Sequence, residues 1–148
     1  MAFKVRPLTP EDITSIINLE KLSLPHPWCE EDIASLVSSD NKIALGAVAE
    51  DGNLASYVGM SYVIDEGEIG NVCTHPDYRQ MGAAMAVLES LKAECVARSI
   101  DKIFLEVSEH NAGAIRLYEK MGYKMYSKRA DYYGKGDSAL MYMLEVNT

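Results

Sequence analysis

Several features that mark particular protein classes are scarce in this 148-residue sequence. It has three cysteines, Cys29, Cys73 and Cys95, an odd number without metal-ligand spacing, which indicates reduced thiols in a cytosolic protein and no metal site. The first ten residues lack the apolar stretch of a signal peptide, and no run approaches the roughly 18 apolar residues that cross a bilayer. These absences predict neither secretion nor membrane insertion.

Positive charge is also scarce, with 14 Lys and Arg against 22 Asp and Glu and a net charge of −8 at pH 7. This charge repels polyanions, which argues against direct binding of nucleic acid. It suits cationic partners such as amines and basic protein tails, or it simply serves solubility. Without repeats or low-complexity linkers, residues 1–148 are predicted to form a single domain.

Hydrophobic periodicity and turn chemistry predict a mixed α/β sheet with helices on both faces. Short turns separate the first apolar segments, so these strands are expected to be antiparallel neighbours. Helices are predicted from the Thr9 cap to about Leu24, from Glu30 to Val37, from Gln80 to Arg98, and from the Asn111 cap to about Met121. Strands are predicted near Phe3 and Val5 and over 43–49, 54–63, 68–74, 103–107, 123–129 and 139–146.

The segment Arg79-Gln80-Met81-Gly82-Ala83-Ala84 joins a predicted strand to the longest predicted helix. Small residues there let a ligand approach the backbone N–H groups, the helix dipole favours negative charge, and Arg79 can add a charge-assisted contact. The segment is a candidate phosphate site, and close packing of helix on sheet is an equally good explanation. It lacks the Gly-Lys-Ser/Thr of a nucleotide P-loop and the three-glycine dinucleotide motif, which excludes those two classes.

The order of motifs around this segment resembles a known superfamily. Arg79-x-x-Gly82-x-Ala84, followed later by Asn111-x-x-Ala114-x-x-Leu117-Tyr118-Glu119-x-x-Gly122-Tyr123, is similar to the acetyl-coenzyme A motifs of the GNAT acyltransferases. Leu24-Pro25-His26-Pro27-Trp28, Leu105-Glu106-Val107 and Tyr132-Tyr133 extend the resemblance to nearly the whole chain. Within the superfamily, the sequence resembles the ribosomal-protein alanine N-acetyltransferases of bacteria.

The resemblance implies a GNAT-like fold, in which mostly antiparallel N-terminal strands lead to a splayed pair of parallel central strands. It further implies that acetyl-coenzyme A binds between the splayed strands and passes its acetyl group directly to an amine, with no covalent enzyme intermediate and no metal. The residues that match cofactor-binding positions are Val72, Cys73 and Thr74 for the pantetheine arm, Arg79, Gln80, Met81, Gly82, Ala83, Ala84 and Met85 for the pyrophosphate, and Asn111 farther along.

Two side chains match catalytic positions of the superfamily. An attacking amine must lose its proton, so a carboxylate base is expected, and Glu106 between apolar neighbours matches it. The alternative role of Glu106 is an exposed residue on an edge strand, and Glu68 is a rival base. Tyr118 matches the phenol that protonates the departing thiolate, and packing of its ring is the alternative. Cys73 has no detectable paired base, so a small buried residue is favoured over a nucleophile.

On the acceptor side, the resemblance implies a groove for an extended peptide amino terminus. The residues that match this groove are Pro27, Trp28, Tyr132 and Tyr133. Trp28 is equally well explained as a core anchor. Two features depart from the family pattern and can alter the pocket: Cys29, where relatives carry a small hydroxyl residue, and Ser108-Glu109-His110 next to the expected base.

The implied acceptor is a protein amino terminus, namely the N-terminal alanine of a basic small-subunit ribosomal protein. We expect a cytoplasmic monomer or weak dimer without a direct nucleic-acid or membrane partner. Two alternatives come from other classes. One is an acetyltransferase for a small amine such as a polyamine or aminoglycoside, and the other is a non-catalytic acyl-coenzyme A binding module.

Overall fold

The computed structural model describes residues 2–147, which form one mixed sheet of seven strands with four α-helices. The strands are β1 Lys4–Pro7, β2 Lys42–Val48, β3 Leu54–Val63, β4 Glu66–Thr74, β5 Lys102–Ser108, β6 Lys124–Gly134 and β7 Asp137–Glu145. The helices are α1 Ile13–Ser23, α2 Glu30–Ser38, α3 Ala83–Ala97 and α4 Ala112–Lys120. None of the described helices is long and apolar enough to span a membrane.

The strands follow the order β1-β2-β3-β4-β5-β7-β6, and β4 and β5 at the centre are parallel. All other neighbours are antiparallel, and the β2–β3 and β3–β4 pairs confirm the prediction from the short turns that separate them. The parallel pairing is brief, because it joins only Glu66–Glu68 to Lys102–Phe104. Beyond it β4 continues to Thr74 and β5 to Ser108. The expected mixed sheet with a splayed parallel pair is confirmed, and we call the gap between residues 70–74 and 106–108 the strand fork.

Helices cover both faces of the sheet. Side chains alternate along each strand, so a strand such as β2 contributes apolar residues to both helix layers. On β2, Ile43 and Leu45 pack in the cluster of α3, whereas Ala44 packs in that of α1 and α2. The buried residues that α3 supplies to the first cluster are Ala83, Val87, Leu88, Leu91 and Cys95. Those that α1 and α2 supply to the second are Ile16, Leu19, Ile33 and Leu36.

The start of α3 and the end of β6 are two boundaries that differ clearly from the sequence-based prediction. Helix α3 begins at Ala83 rather than Gln80, because Gln80 and Gly82 have left-handed backbones with φ of 63° and 89°, which a right-handed helix cannot include. Strand β6 continues to Gly134 through a register shift after Arg129. Tyr132 and Tyr133 therefore lie in a strand rather than in a loop.

The N-terminal caps follow the predictions more closely. A short 3-10 turn, Pro10–Asp12, precedes α1, and the Thr9 N–H donates to Asp12 Oδ2 at 2.8 Å. Asn111 caps α4 by accepting from the Ala114 N–H at 3.2 Å. Cys29 occupies the N-cap position of α2 but forms no side-chain capping hydrogen bond, so its side chain does not cap this helix.

Two buried tyrosines near α4 provide a matched test of this core. The Tyr123 hydroxyl is buried with no partner among the described residues, whereas the Tyr142 hydroxyl donates to Glu119 Oε2 at 2.9 Å. We expect Tyr123→Phe to raise the free energy of unfolding by about 1 kcal/mol and Tyr142→Phe to lower it by about 1 kcal/mol. Urea denaturation measures both. A destabilised Tyr123→Phe protein would mean that the hydroxyl is satisfied in solution.

Candidate active site

The strand fork presents backbone groups of β4 that the sheet does not use. The His75 N–H donates to the Ala55 carbonyl of β3 at 2.7 Å. Because peptide groups alternate along a strand, those of Cys73 also face β3, and those of Val72 and Thr74 face the fork. The Thr74 carbonyl accepts from the Ser23 hydroxyl at 3.0 Å. The Thr74 carbonyl is thus already engaged, which leaves the N–H and carbonyl of Val72 and the Thr74 N–H to form hydrogen bonds with a ligand in the fork.

The side chain of Cys73 points away from this gap into the core under α1. It is 2% exposed, and its Sγ lies 3.9 Å from the Leu19 carbonyl oxygen. Burial raises the pKa of this thiol to about 11, so little thiolate is present at neutral pH. Cys73 is therefore a small buried residue, as the sequence favoured, and not an activated nucleophile.

The turn before α3 is open to solvent. The first helical hydrogen bond runs from the Ala86 N–H to the Gly82 carbonyl at 3.0 Å, so the N–H groups of 83–85 precede the helical hydrogen bonds. A Cβ placed on Gly82 would meet no atom within 4 Å. Arg79, Gln80 and Met81 are exposed beside it. This geometry fits an anion such as a diphosphate, because backbone donors face open space and no side chain fills the turn.

Glu106 lies on β5 two residues beyond Phe104, where the pairing with β4 has ended. Its neighbours Leu105 and Val107 point into the core with α3, so Glu106 faces the opposite side of the sheet. There it lines a cleft of about 570 Å³ together with Glu68 and Arg129. The side chain is half-buried rather than exposed on an edge strand, because β5 is paired on its other side with β7. Glu106 is thus accessible from the cleft.

Tyr118 of α4 is on the other face of the sheet, 7% exposed and packed near Tyr123. Burial, and secondarily the nearby Tyr133, raises the pKa of Tyr118 to about 12. Burial and then the charge of Glu106 also raise the pKa of Tyr133. Tyr133 is thus electrostatically coupled to both Glu106 and Tyr118, which the fold brings into one neighbourhood although they come from opposite faces of the sheet.

The β6–β7 hairpin is held in place by the residues near Glu106 that depart from the family pattern, Ser108, Glu109 and His110. The Ser108 hydroxyl donates to Asp137 Oδ1 at 2.5 Å, and the Ser138 N–H donates to Glu109 Oε2 at 2.7 Å. The His110 ring nitrogen lies 2.6 Å from the Gly136 carbonyl, and this contact raises the pKa of His110. The segment after β5 therefore anchors the hairpin that carries the two expected acceptor tyrosines.

The expected acceptor residues lie on two separate segments. Tyr132 and Tyr133 are about half-exposed and pack edge to face at 5.2 Å, with the Arg129 guanidinium 5.3 Å from the Tyr132 ring centre. Pro27 is exposed in the α1–α2 loop, whereas Trp28 is half-buried and packs against the core of α1 and α2. Trp28 thus acts as an anchor for the loop, and its exposed part remains available to a ligand.

Sequence reasoning missed one group that lies beneath this loop. Glu20 of α1 is fully buried and accepts hydrogen bonds from the Trp28 N–H, the Tyr57 hydroxyl and the Asn71 amide. The signal was present, because Glu20 continues the inward helical spacing of Ile13, Ile16 and Ile17. A charged residue on that stripe indicates a buried polar contact.

Comparison with known proteins assigns this chain to a family. The model of the acetyltransferase (GNAT) family matches residues 13–123. The chain belongs to the GNAT family. It is 30% identical over 134 residues to the [ribosomal protein bS18]-alanine N-acetyltransferase of Escherichia coli K12, an alignment that covers 88% of this chain and 89% of that enzyme.

Solved structures agree with the GNAT fold. The crystal structure of the ribosomal-protein-S18-alanine N-acetyltransferase from Escherichia coli has a TM-score of 0.91 and 26% identity, covering 99% of this chain and 96% of that one. Arabidopsis thaliana NAA60 with a bisubstrate analogue has a TM-score of 0.87 and 19% identity, covering 97% and 98%. An aminoglycoside 6'-N-acetyltransferase complexed with coenzyme A has a TM-score of 0.87 and 16% identity, covering 98% of each chain. This GNAT protein is therefore an N-acetyltransferase.

The open turn at Gly82 generates a test of cofactor binding. In Gly82→Ala a methyl group would enter the space in front of the turn, and the left-handed backbone adds strain of about 1 kcal/mol. We expect the Kd for coenzyme A, measured by calorimetry, to rise about tenfold, equivalent to about 1.4 kcal/mol.

Gly52 provides a matched control for this substitution. It has the same φ of 89°, and a Cβ added there would also meet no atom within 4 Å, but it lies in the turn between β2 and β3. Gly52→Ala is expected to lose similar stability and keep its coenzyme A affinity. Equal affinity losses in both variants would remove the Gly82 turn from the cofactor site.

Proposed function

We propose that this chain acts as a single GNAT domain that transfers the acetyl group of acetyl-coenzyme A directly to a protein N-terminal α-amine. The expected acceptor is the N-terminal alanine of a basic small-subunit ribosomal protein. The proposal rests above all on Glu106, a half-buried carboxylate that faces a cleft where the parallel strands have parted. A base in that position can remove a proton from an amine that enters the cleft.

In this proposal the fork and the Gly82 turn hold the cofactor. Backbone groups of Val72 and Thr74 pair with the amides of the pantetheine arm, and Cys73 lies between them with its side chain in the core. The pyrophosphate lies against the turn formed by Arg79, Gln80, Met81, Gly82, Ala83, Ala84 and Met85. Asn111 caps α4 through its carbonyl oxygen, which leaves its amide N–H groups for a cofactor contact.

The acceptor ammonium must lose two protons during the reaction, and the departing thiolate must gain one. Glu106 takes a proton from the acceptor ammonium, directly or through a water molecule. The amine nitrogen attacks the thioester carbonyl and forms the C–N bond. The nitrogen then gives its second proton to water, and the C–S bond breaks. Tyr118 donates its phenolic proton to the departing thiolate, and its raised pKa of about 12 keeps that proton in place at neutral pH.

The acceptor side of the cleft is acidic. Asp65, Glu66 and Glu68 line it together with Glu106, and Arg129 is the basic residue in the lining. Such a surface attracts a cationic amino terminus with basic residues behind it. The E. coli relative, named for action on the alanine of ribosomal protein bS18, supports the same acceptor. We accordingly propose a cytoplasmic monomer or weak dimer in which Pro27, Trp28, Tyr132 and Tyr133 contact the peptide.

A small amine is the second candidate acceptor. The aminoglycoside 6'-N-acetyltransferase shares the fold over nearly the whole chain, and the acidic cleft suits a polyamine as well as a peptide. A panel of acceptors separates the two. Thiol release from acetyl-coenzyme A should be at least about tenfold faster with a basic peptide that starts with alanine than with spermidine or an aminoglycoside. Faster release with the free amines would displace the peptide acceptor.

Substitution of two carboxylates of the cleft distinguishes the proposed base, Glu106, from the alternative base, Glu68. Glu106→Gln is expected to lower kcat about 10²-fold, because the amide cannot accept the proton, whereas Glu68→Gln should change kcat less than about threefold. Thiol release under saturating peptide measures both. A large loss in Glu68→Gln with little change in Glu106→Gln would exchange their roles.

A further inference from the structure

Glu20 is a completely buried carboxylate, with 0% exposure, on a helix that otherwise buries apolar side chains. Removing a carboxylate from water is costly unless several donors replace the lost water. Asp12, at the start of the same helix, is also buried but forms an ion pair with Arg6 at 2.8 Å. Glu20 instead depends on uncharged donors for its hydrogen bonds, which makes the identity of those donors informative.

Three donors surround this carboxylate. The Trp28 N–H donates to Oε1 at 2.6 Å. The Asn71 amide donates to Oε2 at 2.8 Å, and the Tyr57 hydroxyl donates to the same oxygen. One oxygen of Glu20 therefore binds the backbone of the α1–α2 loop, and the other binds side chains of β3 and β4.

The Trp28 ring packs directly against β4, the strand that carries Asn71. A Cβ on Gly70 of β4 would lie 2.7 Å from the ring Cη2 atom and 2.9 Å from Cζ2. Gly70 is the extra residue at a register shift in the pairing of β4 with β3, and Asn71 resumes that pairing opposite Gly59. The loop backbone and the Trp28 ring are thus both attached at the place where β4 enters the strand fork.

We propose that Glu20 is a positioning residue for the acceptor, holding the Pro27–Trp28 segment against β4 so that it forms one wall of the acceptor groove. The inference rests on the proposed function for its kinetic consequence. Glu20 has 0% exposure and acts through Trp28 rather than by touching the substrate. A role in folding alone would lower stability without any selective effect on the peptide.

The position of Trp28 can be measured without any enzymatic activity, because it is the single tryptophan of the sequence. In Glu20→Gln an amide replaces one oxygen, so the Trp28 N–H, the Tyr57 hydroxyl and the Asn71 amide can no longer all be satisfied. We expect the fluorescence emission of Trp28 to shift to longer wavelength and its quenching by acrylamide to rise about twofold, since lost hydrogen bonds release the loop. Tyr57→Phe, which removes one donor and keeps the ring, should shift emission less in the same direction.

The kinetic test compares the two co-substrates. For Glu20→Gln we expect the KM for an alanine-starting basic peptide to rise about tenfold, while kcat and the KM for acetyl-coenzyme A change less than about twofold, because the acceptor wall alone is displaced. Gly70→Ala should have the same selective effect, since its methyl group pushes the Trp28 ring away.

Asp12→Asn is the matched control, a carboxylate-to-amide change at the other end of the helix region. It should lower the melting temperature but leave the fluorescence and both KM values unchanged. An unaltered emission spectrum in Glu20→Gln, or equal changes in both KM values, would overturn the positioning role. A wild-type protein that releases no thiol with any amine would overturn the proposed function alone, because the fluorescence test would still stand.

Discussion

The short parallel contact between β4 and β5 is the constraint on which the site depends. Only residues Glu66–Glu68 pair with Lys102–Phe104, and the strands then separate in the middle of the sheet. Central strands ordinarily satisfy both edges, so peptide groups directed into a gap favour a ligand that carries amides of its own. Glu106 lies just beyond the point of divergence and lines the cleft.

An acidic protein that handles an anionic cofactor needs a local source of positive potential. The open turn at Gly82 can supply it through backbone N–H groups and the α3 dipole, without a cluster of basic side chains. On the acceptor side, carboxylates such as Glu66 and Glu68 line the cleft. The net charge of −8 is therefore compatible with both ligands, because side chains attract a cation and the backbone can hold an anion.

Much of the fold followed from sequence, because periodicity, caps and short turns are local signals. The start of α3 did not, since a left-handed Gln80 cannot be inferred from a residue type that rarely adopts it. The extension of β6 through Tyr132 and Tyr133 depends on a register shift that tertiary pairing decides. Motif order supplied the candidate residues of the site, but it could not indicate that Tyr133 lies near Glu106 or which groups donate to Glu20.

Both segments that we propose as borders of the acceptor groove are attached to the strands of the fork through carboxylates. Glu20 joins the Trp28 loop to the β4 side, where Asn71 donates to it. Glu109, directly after β5, accepts from the Ser138 N–H and so joins the hairpin of Tyr133 to the β5 side. Each segment is therefore tied to one strand of the fork. In the proposed function, the spacing of these strands at the thioester also sets the spacing of the two segments around the amine, so acceptor selection depends on the strand fork as well as on the loops themselves.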